Sequence, residues 1–168
     1  VPCWIHQTYK DYGSIPNRWR KSAQSWQRLH NHSACRYVFW SDTRLHRLVA
    51  THYPSLLATF EGYPRVIQRV DAARYMILHR YGGIYVDLDI VATARHDPLL
   101  ERARGRMLFN QGMTAGVSND MMLAPPGHPF LAFLLERLRP HARDYLVPYL
   151  TTLLSAGSLF CTASLAAY

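Results

Sequence analysis

Between Arg65 and Ile90 the sequence changes hydrophobic period once and sharply, and that change limits the folds open to the chain. From Arg65 to Tyr81 the apolar residues Val66, Val70, Ala73, Ile77 and Tyr81 recur at steps of three and four, which lays a stripe along one face of a helix. Gly82-Gly83 stops that helix, because glycine takes without penalty the left-handed conformation on which helices often end. Ile84-Tyr85-Val86-Asp87-Leu88-Asp89-Ile90 then alternates with period two, which predicts a strand over 84–90. A helix passing through two glycines into a strand is a building unit of α/β architecture.

Similar units flank it. Trp4-Ile5-His6-Gln7-Thr8 reads as a short buried strand, and the Gly13 and Pro16 turn leads into a helix from Asn17 to His30. Arg36 to Trp40 is aromatic and β-branched and predicts a second strand, with Ser41-Asp42 as the cap of a helix from Thr43 to His52. Pro54 to Pro64 is expected to be a loop with one helical turn. Further on, Met107 to Asn110 and Asn119 to Leu123 are candidate strands, and Pro-Pro-Gly precedes a helix from His128 to Leu138. Alternating strands and helices imply a largely parallel sheet flanked by helices. With 168 residues, 49% of them hydrophobic, and no repeat or linker, a single domain over 1–168 is expected.

A net charge of +8, from seventeen Arg and two Lys against eleven acids, favours anionic partners: nucleic acid, acidic membrane or a phosphate-bearing ligand. The clusters at Arg18, Arg20 and Lys21, at Arg102, Arg104 and Arg106, and at Arg137, Arg139 and Arg143 are read first as solvated faces and second as a binding surface. Cys3, Cys35 and Cys161 have no CxxC spacing, so neither a disulfide framework nor a zinc site is indicated; a Cys3–Cys35 bridge stays open. Tyr145 to Tyr168 carries no charge and is long enough to span a bilayer. Its Pro148, Gly157 and six Ser or Thr residues fit a buried strand, a turn and a short helix better. The start of the chain has no basic-then-apolar signal segment.

The predicted strand has Ile84, Val86, Leu88 and Ile90 on one face and Tyr85, Asp87 and Asp89 on the other. Carboxylates two residues apart on one face lie roughly 7 Å apart along a strand, close enough to act on one divalent cation and its waters. Alone, such a pair is more often a solvated edge. Here two glycines precede it, its opposite face is apolar, and the preceding helix carries Asp71 and Arg74 three residues apart, hence neighbours on the helix surface. The plain alternative for Asp71 and Arg74 is an intrahelical ion pair contributing about 0.5 kcal/mol or less. HExxH, GxSxG, P-loop and Rossmann glycine patterns are all missing from the sequence.

The stretch RVIQRVDAARYMILHRYGGIYVDLDI resembles the signature of the DxD sugar-transferase superfamily that includes family 32 of the glycosyltransferases. Fungal Golgi mannosyltransferases, mannosyl-inositolphosphoceramide synthases and relatives of the α1,4-galactosyltransferases belong there, and the large clostridial toxin glucosyltransferases share the pattern. IHQT at the start and NDMMLAPPGHPF later resemble the family's first strand and its later Asn-containing strand with the following helix. The resemblance implies a compact GT-A (nucleotide-diphospho-sugar transferase) fold. It also implies a retaining hexosyl transfer from a nucleotide diphosphate sugar, GDP-mannose or a UDP-hexose, to a glycan, lipid or protein, with Mn²⁺ or Mg²⁺ as cofactor.

By the same resemblance Asp71 and Arg74 hold the sugar hydroxyls and the diphosphate side, Asp87 binds ribose and metal, and Asp89 ligates the metal. Tyr85 lines the donor pocket; Ile5, His6, Gln7 and Val66 surround base and ribose; Asn119 and Asp120 lie toward the acceptor. Family members usually continue into a C-terminal segment with His, Ser and Trp that adds contacts to metal and diphosphate, whereas no Trp follows Trp40 here. The third protein ligand is therefore unassigned. The resemblance places the protein in the Golgi or secretory lumen if the source is eukaryotic and in the cytoplasm if it is viral or bacterial. Any membrane association would come through the acceptor or a removed anchor, and no nucleic-acid partner is expected. Two rivals are a sugar-nucleotide binder that has lost catalysis and a basic RNA-binding module, the second of which leaves Asp87 and Asp89 unexplained.

Overall fold

A computed structural model describes residues 3–31, 35–112 and 116–168. Five strands, β1 (Trp4–Thr8), β2 (Arg36–Trp40), β3 (Gly83–Val86), β4 (Leu108–Gln111) and β5 (Val117–Ala124), form one sheet in the order β2-β1-β3-β5-β4. β1 pairs in parallel with β2 and β3, whereas β5 pairs antiparallel with both β3 and β4. Four strands therefore run one way and β5 runs against them, a mixed sheet.

Side chains alternate cleanly across it. Ile5, Ile84, Val86, Met121 and Leu123 pack on one face with Trp26 of α1 (Asn17–His30) and Leu100 of α5 (Asp97–Ala103). Trp40, Tyr85, Met122 and Ala124 face the larger core beneath α2 (Asp42–His52), α4 (Val66–Tyr81), α6 (Pro129–His141) and α8 (Ser158–Ala167). Helices thus cover both faces, as a sheet with two apolar faces requires.

α4 is the central helix of the larger layer, with Gln68 and every residue from Asp71 to Leu78 buried. Its predicted stop is observed: Gly82 is the C-cap with φ 64°, and Gly83 opens β3 with φ 98°. A Cβ on Gly83 would sit 2.3 Å from the carbonyl oxygen of Trp4, so the β1–β3 pairing needs glycine for close approach as well as for its dihedral.

The strand predicted over 84–90 ends at Val86. The amide of Asp87 makes a last bond to the Asp120 carbonyl (2.8 Å), and the chain then turns, Ile90 N donating to Asp87 O at 3.2 Å. α1 holds this turn from below: the Trp26 indole donates to Ile90 O (2.8 Å), and Ser25 Oγ accepts from Ala92 N (2.8 Å). Leu88 still points inward, onto Ile15 and Ala23.

Other expectations are corrected too. The segment after Pro54 is more helical than expected, a 3-10 turn at Pro54–Leu56 running into α3 (Leu57–Gly62), and α5 carried no recognised signal. The uncharged tail contains no strand; it forms α7 (Pro148–Ser155) and α8, whose Ser155, Ala156, Phe160 and Cys161 are buried against the rest of the fold. Among the described residues no single helix is long and apolar enough to cross a membrane, although these two, bent by 41°, pass together on length and composition. Cys3 and Cys35 form a disulfide between the start of β1 and the approach to β2, while Cys161 is a buried free thiol.

Two outcomes follow from this packing. Gly83→Ala should lower unfolding free energy by more than about 2 kcal/mol, read by chemical denaturation, because both the dihedral and the Trp4 contact resist a methyl group. His6 is 1% exposed, with Nδ1 accepting from the Trp40 indole (3.1 Å) and Nε2 therefore donating to Gly82 O (2.9 Å). Burial holds it neutral, its pKa lowered from 6.5 to about 4. The folded state thus binds this proton less readily than the unfolded state, and His6 costs stability progressively as pH falls from 6.5 towards 4, at up to about 1.4 kcal/mol per pH unit. The stability deficit of His6→Gln relative to wild type should accordingly shrink between pH 7 and pH 5; a constant deficit would contradict this.

Candidate active site

Beyond the carboxyl ends of β1 and β3, where open α/β sheets place their ligands, lies a cleft of about 480 Å³. One wall is aromatic: Tyr9 and Trp19 meet edge to face at 5.7 Å. Facing residues include Val66, Ile67 and Val70 from the first turns of α4, the first two about half exposed. Thr8, Lys10, Asp42, Arg74, Asp87, Leu88 and Asp89 complete the lining. Apolar walls with a few polar groups at one end suit a ligand that has a flat ring and a charged tail.

At the charged end Arg74 is 2% exposed and bonded on three sides. It reaches Asp71 Oδ1 at 2.9 Å, Asp87 Oδ2 at 3.2 Å and the carbonyl oxygen of Asn119 at 2.6 Å, and its guanidinium lies 4.8 Å from the centre of the Tyr85 ring. The Asn119 side-chain amide donates to Asp71 Oδ1 and to Tyr75 Oη, both at 3.1 Å, and Tyr75 in turn donates to Ala156 O at 2.8 Å. Tyr85 donates its hydroxyl to Asp87 Oδ1 (2.9 Å), so the 3.0 Å contact with Thr8 is one in which the Thr8 hydroxyl is the donor. β1, α4, β3, β5 and the junction between α7 and α8 therefore meet in one polar network. Asp71 and Arg74 do form the intrahelical ion pair of the plain alternative, but the pair is buried and shared with Asp87 and Asn119.

Burial pushes the Asp71 carboxyl up to about 6, with the Arg74 guanidinium and the Asn119 amide opposing, so it is ionised at neutral pH. Asp87 is raised as well, by burial first, against Arg74 and the Tyr85 hydroxyl, with Asp89 and Asp120 adding repulsion. Burial also raises Tyr85, which stays a protonated donor.

Asp87 and Asp89 both line the cleft, brought there by the turn after β3 and not by a shared strand face. Each oxygen of Asp87 accepts one bond and retains a lone pair, while Asp89 is exposed. Among the described residues no group of three or more His, Cys, Asp or Glu side chains is arranged to hold a metal ion. Two carboxylates with open space beside them match a hard cation whose other ligands are phosphate and water oxygens.

Several expected site residues lie elsewhere. Ile5 is fully buried in the core under α1, and His6 is locked between Trp40 and Gly82, so neither reaches the cleft. Gln7 is buried behind it, donating to Asp87 O (3.4 Å) and accepting from the Tyr37 hydroxyl (2.9 Å). Tyr85 is fully buried and supports Asp87 from beneath, without lining the pocket. Val66 lies on the cleft. Asn119 orients Asp71, and Asp120 contributes its carbonyl to the Asp87 amide while its carboxylate accepts from Asn110 at 3.1 Å. Sequence reading missed Thr8 to Lys10, Trp19, Asp42, Ile67 and Val70; the rule that ligands sit beyond strand ends would have moved the first of these three residues along β1.

Residues 16–105 match the family model described as a glycosyltransferase sugar-binding region containing the DXD motif. Inositol phosphoceramide mannosyltransferase 3 of Schizosaccharomyces pombe is 39% identical over 160 residues, which cover 95% of this chain and 43% of that protein. Mannosyl phosphorylinositol ceramide synthase CSH1 of Saccharomyces cerevisiae is also 39% identical over 160 residues, covering 95% and 41%. The chain thus spans less than half the length of these two relatives. In fold it is similar to the PaToxG glycosyltransferase, with a TM-score of 0.70 at 15% identity, covering 98% of this chain and 67% of that one, and the shared architecture is of GT-A type. With the matched region running through α4, β3 and both aspartates of the cleft, the chain belongs to the DXD-motif glycosyltransferase family.

Proposed function

We propose that the chain is the catalytic domain, over 1–168, of a divalent-metal-dependent, retaining mannosyltransferase that uses GDP-mannose and a phosphoinositol-containing sphingolipid acceptor. The observation that carries the reading is the convergence of Asp71, Arg74, Asp87 and Asn119, from three separate elements, in one buried network at the end of a cleft that also holds Asp89. The choice of mannose and of lipid is supported by the names of the relatives, which match nearly the whole chain. A UDP-hexose donor, or a glycan or protein acceptor, is the alternative within the same chemistry.

In this reading the base lies between Tyr9 and Trp19 on one side and Val66 and Ile67 on the other, and Lys10 meets the phosphates. Asp87 and Asp89 hold Mn²⁺ or Mg²⁺, which when bound supplies positive charge to the departing diphosphate. Arg74 adds a second, fixed positive charge; Asp71 and Asp87 hold it in place so that it need not reorganise when charge develops. Asp71, oriented by Asn119, accepts hydrogen bonds from sugar hydroxyls. Among the described residues lining the cleft no histidine stands as a general base, and a same-face reaction lets the leaving phosphate oxygen take the acceptor's proton.

Asp89→Asn is the cleanest test, because Asp89 is exposed, whereas Asp87 also neutralises Arg74. Metal-dependent transfer from GDP-mannose should fall by about a hundredfold or more, with unfolding free energy changed by less than about 0.5 kcal/mol. Unaltered turnover would remove Asp89 from the site. Acidification offers a second test: as pH falls through about 6, Asp71 takes up a proton, Asp87 follows in the same direction, and kcat/KM at saturating Mn²⁺ should decline while circular dichroism still reports folded protein. A profile flat to pH 5 would contradict the assigned role of Asp71.

A further inference from the structure

The junction between α6 and α7 exposes apolar side chains to an extent that neither the core nor the cleft explains. Leu146 is 93% exposed, Tyr149 72%, Val147 49% and Leu150 39%, all within five residues. Leu146 has φ 69°, so a leucine occupies a left-handed loop position that usually falls to Gly, Asn or Asp. No charged residue occurs from Tyr145 to Tyr168, and Leu159, Leu165 and Tyr168 are exposed as well. The inner side of the same two helices is fixed to the fold: Ser155 accepts from Gln68 at 2.8 Å, Ala156 O accepts from Tyr75, and Phe160 and Cys161 lie in the core. α7 and α8 are therefore part of the globule, with an uncharged face turned outward.

Cations border that face. Arg139 and Arg143 line a cavity of about 510 Å³ between α3, α4, the end of α6 and the start of α7, with Asp144 as the one acid in its wall. The Asp144 carboxylate is engaged inside the loop, accepting from Leu146 N and from Thr151 Oγ1, both at 2.9 Å. The Arg65 guanidinium donates to the carbonyl oxygen of Pro148, joining the start of α7 to the residue before the half-exposed Val66 and Ile67 on the rim of the cleft. An exposed apolar segment edged by arginines, on a chain of net charge +8, matches the interface of an anionic bilayer: apolar side chains enter the acyl boundary and guanidinium groups stay with the headgroup phosphates.

We infer that the α6–α7 junction is a membrane-docking element, in which Leu146, Val147, Tyr149 and Leu150 insert into the surface of an anionic bilayer and Arg139 and Arg143 contact its headgroups. Docking stands on this geometry alone; its use, to present a lipid-borne acceptor at the neighbouring cleft, rests on the transferase reading above.

The test is sedimentation of the full chain with vesicles of phosphatidylcholine, alone or with about one-fifth phosphatidylserine, at physiological salt. Wild type should pellet several-fold more with the anionic vesicles. Leu146→Asp with Tyr149→Asp should reduce binding about tenfold or more, and Arg139→Gln with Arg143→Gln should abolish the preference for anionic lipid. Leu146→Asn, which the left-handed backbone accommodates, should weaken binding without altering the melting temperature. Vesicle binding unchanged by these substitutions would overturn the inference. So would a concentration-dependent dimer in analytical ultracentrifugation that Leu146→Asp dissociates, since the face would then belong to a second copy of the chain. Because vesicle binding is read without turnover, loss of transfer in Asp89→Asn leaves this result unaffected.

Discussion

Arg74 carries a permanent charge while only 2% exposed, and the site is arranged around neutralising it. Placing an unpaired ion there would cost several kcal/mol. Two carboxylates and a backbone carbonyl surround it instead, and Tyr85 lies against its plane. Each partner is oriented by another group: Asn119 bonds Asp71, and Tyr85 bonds Asp87 while receiving the Thr8 hydroxyl. Such a network stands or falls as a unit, because removing one carboxylate leaves a buried cation short of a partner. The cleft consequently has a pre-set positive group at its end, framed by acids whose mutual repulsion a cation would relieve.

Delivering these residues to one point is what the fold accomplishes. α4 carries Asp71 and Arg74 one turn apart, and the Gly82-Gly83 reversal brings the chain back as β3 beneath that helix, so that Asp87 emerges beside Arg74. Glycine is needed there because a Cβ on Gly83 would lie 2.3 Å from the Trp4 carbonyl oxygen of β1. β5, running against its neighbours, adds Asn119 from the opposite direction and the Asp120 carbonyl that ends β3. α1 on the far face fixes the turn that carries Asp89. Residues far apart in sequence are thereby brought together by backbone hydrogen bonds and packing, leaving the carboxylates to the cleft.

Much of this was legible from periodicity. The stripe from Val66 to Tyr81, the paired glycines and the alternation after them predict α4, the reversal and β3 in their observed order, and the resemblance singled out Asp71, Arg74, Asp87 and Asp89, which do converge. Alternation failed at its end: Leu88 keeps the inward phase of Val86, so a turn with an anchored hydrophobe reads in sequence like two more strand residues. The tail misled for a related reason. The tail's Pro148, Gly157 and six Ser or Thr residues suggest a buried strand, a turn and a short helix, yet Thr151, Ser155 and Ser164 are all helical and bonded to side chains outside their own helices, which no local pattern reveals. Likeness of motif puts Ile5 and His6 at the ligand, whereas the cleft is lined by Thr8, the last residue of β1, and by Tyr9 and Lys10 just beyond it, where the chain leaves the sheet. Trp19 and Asp42 depend wholly on how helices pack over that end.

The most direct measurement of the central claim is the position of a metal. Crystals of the chain grown with Mn²⁺ and a nucleoside diphosphate, with diffraction recorded at the manganese edge, should show one strong anomalous peak within coordination distance of the Asp87 and Asp89 carboxylates, with phosphate oxygens on its far side and Arg74 still bonded to Asp71. A peak elsewhere on the molecule, or a nucleotide bound outside the cleft between Trp19 and Val66, would contradict it.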